Sequence, residues 1–196
     1  MPASSRFVAL LRAINVGGHV VKMETLRRHF TRLGFANVET FIASGNVLFD
    51  APGAKPRDLE EQIAMELERL LGYPVATFVR SPAELASVVR HEPFTPGAFD
   101  FTKHALYIGF LAGKPKAETV RNVVALKTPV DEFHIHGKEL YWGCRAARWT
   151  DSAVSGNALE RAIATPMTMR SVTTVRKLAA KLATKSADPS SLRSSG

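Results

Sequence analysis

The order in which hydrophobic periodicity changes over residues 6–80 constrains this chain more than any other feature. Residues 6–14 (RFVALLRAI) form a short apolar run suited to a buried strand. They stop at Asn15-Val16-Gly17-Gly18-His19, a loop with two glycines. From Lys22 the apolar residues recur three or four apart, at Met23, Leu26, Phe30 and Leu33, and Gly34 follows where a helix C-cap is expected. Residues 38–43 are β-branched and aromatic, and Val47-Leu48-Phe49 is their partner strand. Ser44-Gly45-Asn46 between them tolerate φ > 0, a hairpin signal. Residues 56–71 predict a helix with Leu59, Ile63, Leu67 and Leu70/Leu71 on one stripe and Gly72 behind it. Residues 75–80 (VATFVR) read as another strand.

Read as letters this is β-α-β-β-α-β, the split βαβ or ferredoxin-like order. Ser81-Pro82-Ala83-Glu84 then opens a helix with a capping box and Pro at its first position, and the helix ends before Pro93. Residues 92–102 are loop, 104–111 strand, 115–126 helix, 132–136 and 139–144 two strands joined at Gly137-Lys138, and 153–164 helix. Residues 104–164 therefore repeat β-α-β-β-α, lacking only a clear final strand. A last helix over 168–183 carries Val172, Val175, Leu178, Ala179 and Leu182 on one side. The tail after Thr184 has no core-forming residues and is expected to be disordered. The fold class is α+β: two ferredoxin-like halves with antiparallel sheets, residues 1–80 and 81–166, then a basic C-terminal helix over 167–183 and a tail over 184–196.

A chain of 196 residues, 45% hydrophobic, buries roughly 70% of its unfolded surface and needs no disulfide or metal to fold. No apolar run approaches the ~20 residues that span a bilayer. Arg12 interrupts the first apolar run after five residues, so the start reads as a strand and not as a signal peptide. One cysteine, Cys144, excludes an internal disulfide framework and a multi-cysteine zinc site, and points to the cytoplasm. Charge is uneven. Residues 1–144 carry 17 Lys and Arg against 15 Asp and Glu, whereas residues 145–196 carry 9 against 3. The excess lies on the last helix, as Arg170, Arg176, Lys177, Lys181 and Lys185. It is either a solvated amphipathic face or a surface for phosphates and nucleic acid.

Gly109-Phe-Leu-Ala-Gly113-Lys114 is one residue short of a P-loop and lacks its Ser/Thr. No GxGxxG, HExxH or GxSxG motif is present. His134 and His136 share one face of a predicted strand, but two ligands do not make a metal site, and a solvent-facing pair is the expectation. No cofactor is implied. Cys144 reads as a small buried residue without an activating base. Backbone N–H groups of residues 15–18, ahead of a helix, are placed to cradle an anion with Arg12 beside them, or else the glycines only turn the chain. Ser44-Gly45-Asn46 either presents a hydroxyl and an amide at a turn tip or only makes the hairpin.

At Leu10-Leu-Arg-Ala-Ile-Asn-Val-Gly-Gly18 the sequence resembles the domain of unknown function 1697 family, whose members open with a similar stretch. The likeness continues at residues 23–26, at Leu33-Gly-Phe35 and at Thr40-Phe-Ile-Ala-Ser-Gly-Asn-Val47 with Phe49. It returns at Tyr141 and over residues 168–178. The resemblance implies a duplicated ferredoxin-like α+β fold and no assigned activity. Ala13 stands where a glycine is usual, and Ser171-Val172 where asparagine-tryptophan is common. Arg12, Asn15, Gly17, Gly18, Ser44, Asn46 and Arg170 are the candidate ligand-binding residues, most of them at family motif positions. The leading reading is a soluble binding module for a phosphate-bearing or nucleic-acid ligand. The alternatives are a small-molecule enzyme with these residues as polar anchors, or an interaction scaffold.

Overall fold

The computed structural model describes residues 6–12, 14, 21–42, 45–146 and 148–186. The chain divides into two compact units, one of residues up to Ser87 with those from Arg176 onward, the other Val88–Val175. Each unit carries one four-stranded antiparallel sheet.

In the first unit β1 (Arg6–Leu11), α1 (Met23–Arg32), β2 (Ala36–Phe41), β3 (Asn46–Asp50), α2 (Pro56–Leu71) and β4 (Thr77–Arg80) follow one another, with sheet order β2-β3-β1-β4. Both faces of β1 are buried, which explains its unbroken apolar run. Phe7, Ala9 and Leu11 point into a core with Val47, Phe49 and Val79, closed by Leu26 and Phe30 of α1 and Leu59, Ile63 and Leu67 of α2. Phe49 is its aromatic centre, with ring centroids 4.6 Å from Phe35, 5.4 Å from Phe30 and 6.1 Å from Phe7. Alternation along the strands and the stripe along each helix meet here, as period 2 and period 3.6 require.

The helix α3 (Pro82–Arg90) begins with the expected capping box: the Ser81 N–H donates to the Glu84 carboxylate (2.8 Å), and the Glu84 N–H to the Ser81 hydroxyl (3.3 Å). In the second unit β5 (Ala105–Leu111), α4 (Ala117–Val124), β6 (Asp131–His136), β7 (Glu139–Cys144), α5 (Gly156–Ile163) and β8 (Met167–Ser171) give sheet order β6-β7-β5-β8. That order repeats the first unit's, strand for strand. The duplicated ferredoxin-like α+β class is what the chain adopts.

The final strand of the second half is β8, where the sequence reading begins the last helix instead. Residues 167–171 pair with β5, Met167 opposite Leu111 and Ser171 opposite Tyr107. The last helix, α6, runs Val172–Ser186. Its start is set by Ser171, whose hydroxyl accepts from the Thr174 N–H (3.3 Å) as an N-cap does. α6 also carries residues 184–186, and residues 187–196 lie outside the described residues. The helix expected over 153–164 is shorter, starting at Gly156 behind the cap Ser155.

In the second core the Trp142 indole N–H donates to Asp131 (2.9 Å), and the other carboxylate oxygen accepts from the Thr128 hydroxyl (2.9 Å). Asp131 is fully buried, so its removal strands the indole N–H. Asp131→Ala is expected to cost about 2 kcal/mol of stability, measured by urea unfolding. A loss below about 0.5 kcal/mol would mean that water replaces the carboxylate without cost.

Candidate functional site

Two family-motif segments, far apart in sequence, meet at the end of β1. The Leu11 N–H donates to the Gly45 carbonyl (2.8 Å) and the Arg12 N–H to the Ala76 carbonyl (2.9 Å), so this strand end is held on both flanks. Gly45 has φ +72°, and a Cβ there would lie 3.1 Å from the Leu11 Cβ and 3.3 Å from the Ile14 Cβ. Only a glycine lets the turn between β2 and β3 press this closely on β1. Asn46 opens β3 fully buried, and its amide Nδ2 donates to the Phe41 carbonyl (3.0 Å). Of the two readings of Asn46, a presented turn-tip amide or a hairpin residue, the structure has the second: the amide is buried and closes the chain from Phe41 to Asn46.

Between these pins stands Ile42, with φ +50° and half exposed. A β-branched residue in the left-handed region carries roughly 1–2 kcal/mol of strain. Strain of this kind, held by surrounding structure, concentrates where a surface binds something. Arg12 lies half-buried directly after β1. Asn15, Gly17, Gly18 and Ser44 lie outside the described residues.

Arg170, expected on the basic face of the last helix, is instead a buried strand residue of the second unit, in β8 opposite Ile108. Its guanidinium donates to the Thr168 hydroxyl and the Met169 carbonyl, both at 2.8 Å. Burial pulls its pKa down to about 10, so it still carries its charge at neutral pH. Arg170 thus satisfies its own strand. Arg12 and Asn46 belong to the first unit.

The basic stripe of α6 is correspondingly thinner than its sequence. Arg176 and Lys177 are exposed, but Lys181 pairs with Glu39 of β2 and its ammonium sits 5.6 Å over the Phe41 ring. Lys181 anchors the helix to the edge strand of the first sheet.

Cys144 is fully buried at the end of β7, and burial pushes its thiol pKa up, the opposite of an activated nucleophile. Gly109 of the P-loop-like stretch is a paired residue within β5, so that stretch begins as sheet and not as an anion loop.

His134 and His136 do share one face of β6, as alternation requires, and the structure adds a third imidazole. His91, just past α3, stacks on both: ring centroids are 4.2 Å apart from His136 and 5.2 Å from His134. Burial first, then the neighbouring imidazoles, lowers the His91 pKa, and burial then His136 lowers that of His134. The pair expected to face solvent is thus a triad with one exposed member, His136. No local signal marked His91, because its partners arrive through strand pairing and not through spacing. Beside the triad the same sheet face is roofed by Phe94 and Phe99 over Gly143, where a Cβ would lie 2.6 Å from the Phe99 ring.

Among solved structures, a conserved bacterial protein, SP0830 from Streptococcus pneumoniae, is similar to this chain, with a TM-score of 0.69 and 22% identity, covering 92% of this chain and 99% of that one. At that identity the likeness speaks for the fold alone. The curated proteins give no match. A family model described as a protein of unknown function (DUF1697) matches residues 4–141, a span that includes both motif segments of the β1 site. By that match over most of its length, the chain belongs to the DUF1697 family.

Proposed function

We propose that the chain is a non-enzymatic module that binds an anionic, phosphate-bearing ligand at the end of β1. The observation that supports this most is the clamp itself, in which the Gly45 turn is pressed on Leu11 beside Arg12, with strained Ile42 exposed at its rim. An arginine directly after the strand end that Gly45 presses on brings a charge-assisted donor to an anion. Cys144, buried and with a raised pKa, offers no nucleophile to the enzymatic alternative. A single cysteine also fits a cytoplasmic setting.

The test titrates fluorescein-labelled single- and double-stranded oligonucleotides by anisotropy across a salt series, with inorganic pyrophosphate followed in parallel by thermal shift. Arg12→Ala is expected to weaken binding about tenfold and to flatten the slope of log K against log salt by about one. Replacing Arg176 and Lys177 by Ala separates the α6 surface from this one. Binding that depends on α6 and is indifferent to Arg12→Ala would overturn the β1 site. Absence of binding at low salt to all three probes would overturn the anion reading as a whole.

A further inference from the structure

We propose that His91, His134 and His136 form a binding site for a divalent transition-metal ion of the zinc type, ligated by three imidazole nitrogens. The site uses residues of the second unit only and a cation, so it stands or falls separately from the anion reading. Along β6, Phe133 and Ile135 belong to the helix-covered core, which turns His134 and His136 to the other face. On the neighbouring strand β7, His134 is opposite Tyr141 and His136 opposite Glu139. The chain leaving α3 then lays His91 across the pair.

One nitrogen from each of the three rings lies within 4.8 Å of the other two. Zinc–nitrogen bonds of about 2.0–2.1 Å in tetrahedral geometry need nitrogens about 3.3 Å apart, and His91 lies stacked at 21° on His136 and 27° on His134, so closure takes rotations that tilt the rings and aim their in-plane lone pairs at one ion. His136, the exposed member, has room to turn. The Nε2 of His91 is buried with no hydrogen-bond partner. Buried polar atoms are almost always satisfied, and one left over beside two other imidazoles calls for a ligand of the right chemistry. An electrophilic metal ion supplies it. The all-nitrogen set favours Zn²⁺, Cu²⁺, Ni²⁺ or Co²⁺ over the oxygen-seeking Mg²⁺ and Ca²⁺. Three protein nitrogens leave a fourth position for water or an added ligand.

The experiment titrates metal-free full-length protein with Zn²⁺ alone by calorimetry, and with Co²⁺ alone by visible absorption. One ion per chain is expected, with the intense Co²⁺ bands of a tetrahedral site. His134→Ala and His136→Ala should each weaken Zn²⁺ binding at least tenfold, roughly the least that loss of even a supporting partner costs. His104→Ala, outside the triad, should leave it unchanged. His136 is exposed, so its variant reports on the site even if His91→Ala disturbs the end of α3. Zn²⁺ affinity equal in wild type and in His136→Ala, or lost equally in His104→Ala, would overturn the proposal. A Co²⁺ spectrum of octahedral character, unchanged in His134→Ala and His136→Ala, would overturn ligation by the triad.

Discussion

Phe49→Ala is expected to lower the free energy of unfolding by about 4 kcal/mol. Phe49 is fully buried in β3, a strand paired on both edges by β1 and β2. Three other phenylalanine rings pack on it, and edge and tilted contacts of this kind add to the area buried. The rings around the vacated space come from β1, from α1 and from Phe35 just ahead of β2, so collapse would have to move several elements together. A cavity therefore remains, and its cost adds to the lost transfer energy. For a chain of this size the loss corresponds to a fall in Tm of about 10 °C. Both tryptophans, Trp142 and Trp149, lie in the second unit, so far-UV circular dichroism is the better probe for a change in the first. A loss below about 1 kcal/mol would show that the core refills and that the aromatic cluster is not a fixed packing unit.

Gly45→Ala is expected to cost about 3 kcal/mol and to remove the proposed ligand binding at the β1 end together with it. Two effects add. A side chain at φ +72° is strained by roughly 1–2 kcal/mol, and a Cβ 3.1 Å from Leu11 forces the turn off the strand. Gly72→Ala separates them, because Gly72 has nearly the same φ, +76°, with no atom within 4 Å of the added Cβ. Only the backbone strain should appear there, about 1–2 kcal/mol. The excess at Gly45 measures the contact between the two motif segments. Equal losses in the two variants, by urea unfolding, would mean that the turn gives way and that the clamp is not what shapes the site.

Helix α2 shows what a local pattern carries. Pro56, the leucine stripe and Gly72 mark both ends in the sequence, and the helix occupies Pro56–Leu71. The capping box at Ser81 and the two-residue turn at Gly137-Lys138 are equally local and stand where their residues put them. The end of the second half was less legible. Met167-Thr168-Met169-Arg170 alternates as a strand does, but it runs straight into the helical spacing of Val172, Val175 and Leu178, and the stronger period absorbs the shorter one. Ser171 was the available signal, since a serine ahead of an apolar helix is a preferred N-cap.

The candidate site divides along the same line. Arg12 and the Gly45 turn stood out as motifs, and a turn residue's role can be read from its own conformational demand. What happens to a polar side chain cannot, because burial depends on which strands become neighbours. Asn46 and Arg170 resemble binding residues in one dimension, and pairing of β3 and β8 with β1 and β5 turns both inward to satisfy backbone and hydroxyl groups. His91 is the converse case, ordinary in sequence and placed by the fold against two histidines far along the chain. Periodicity, caps and turns act within a few residues, so the order, type and approximate ends of the elements are legible along the chain. The tertiary structure alone decided which polar groups are spent inside the sheets and which converge, because contacts between distant segments follow from strand order and not from spacing.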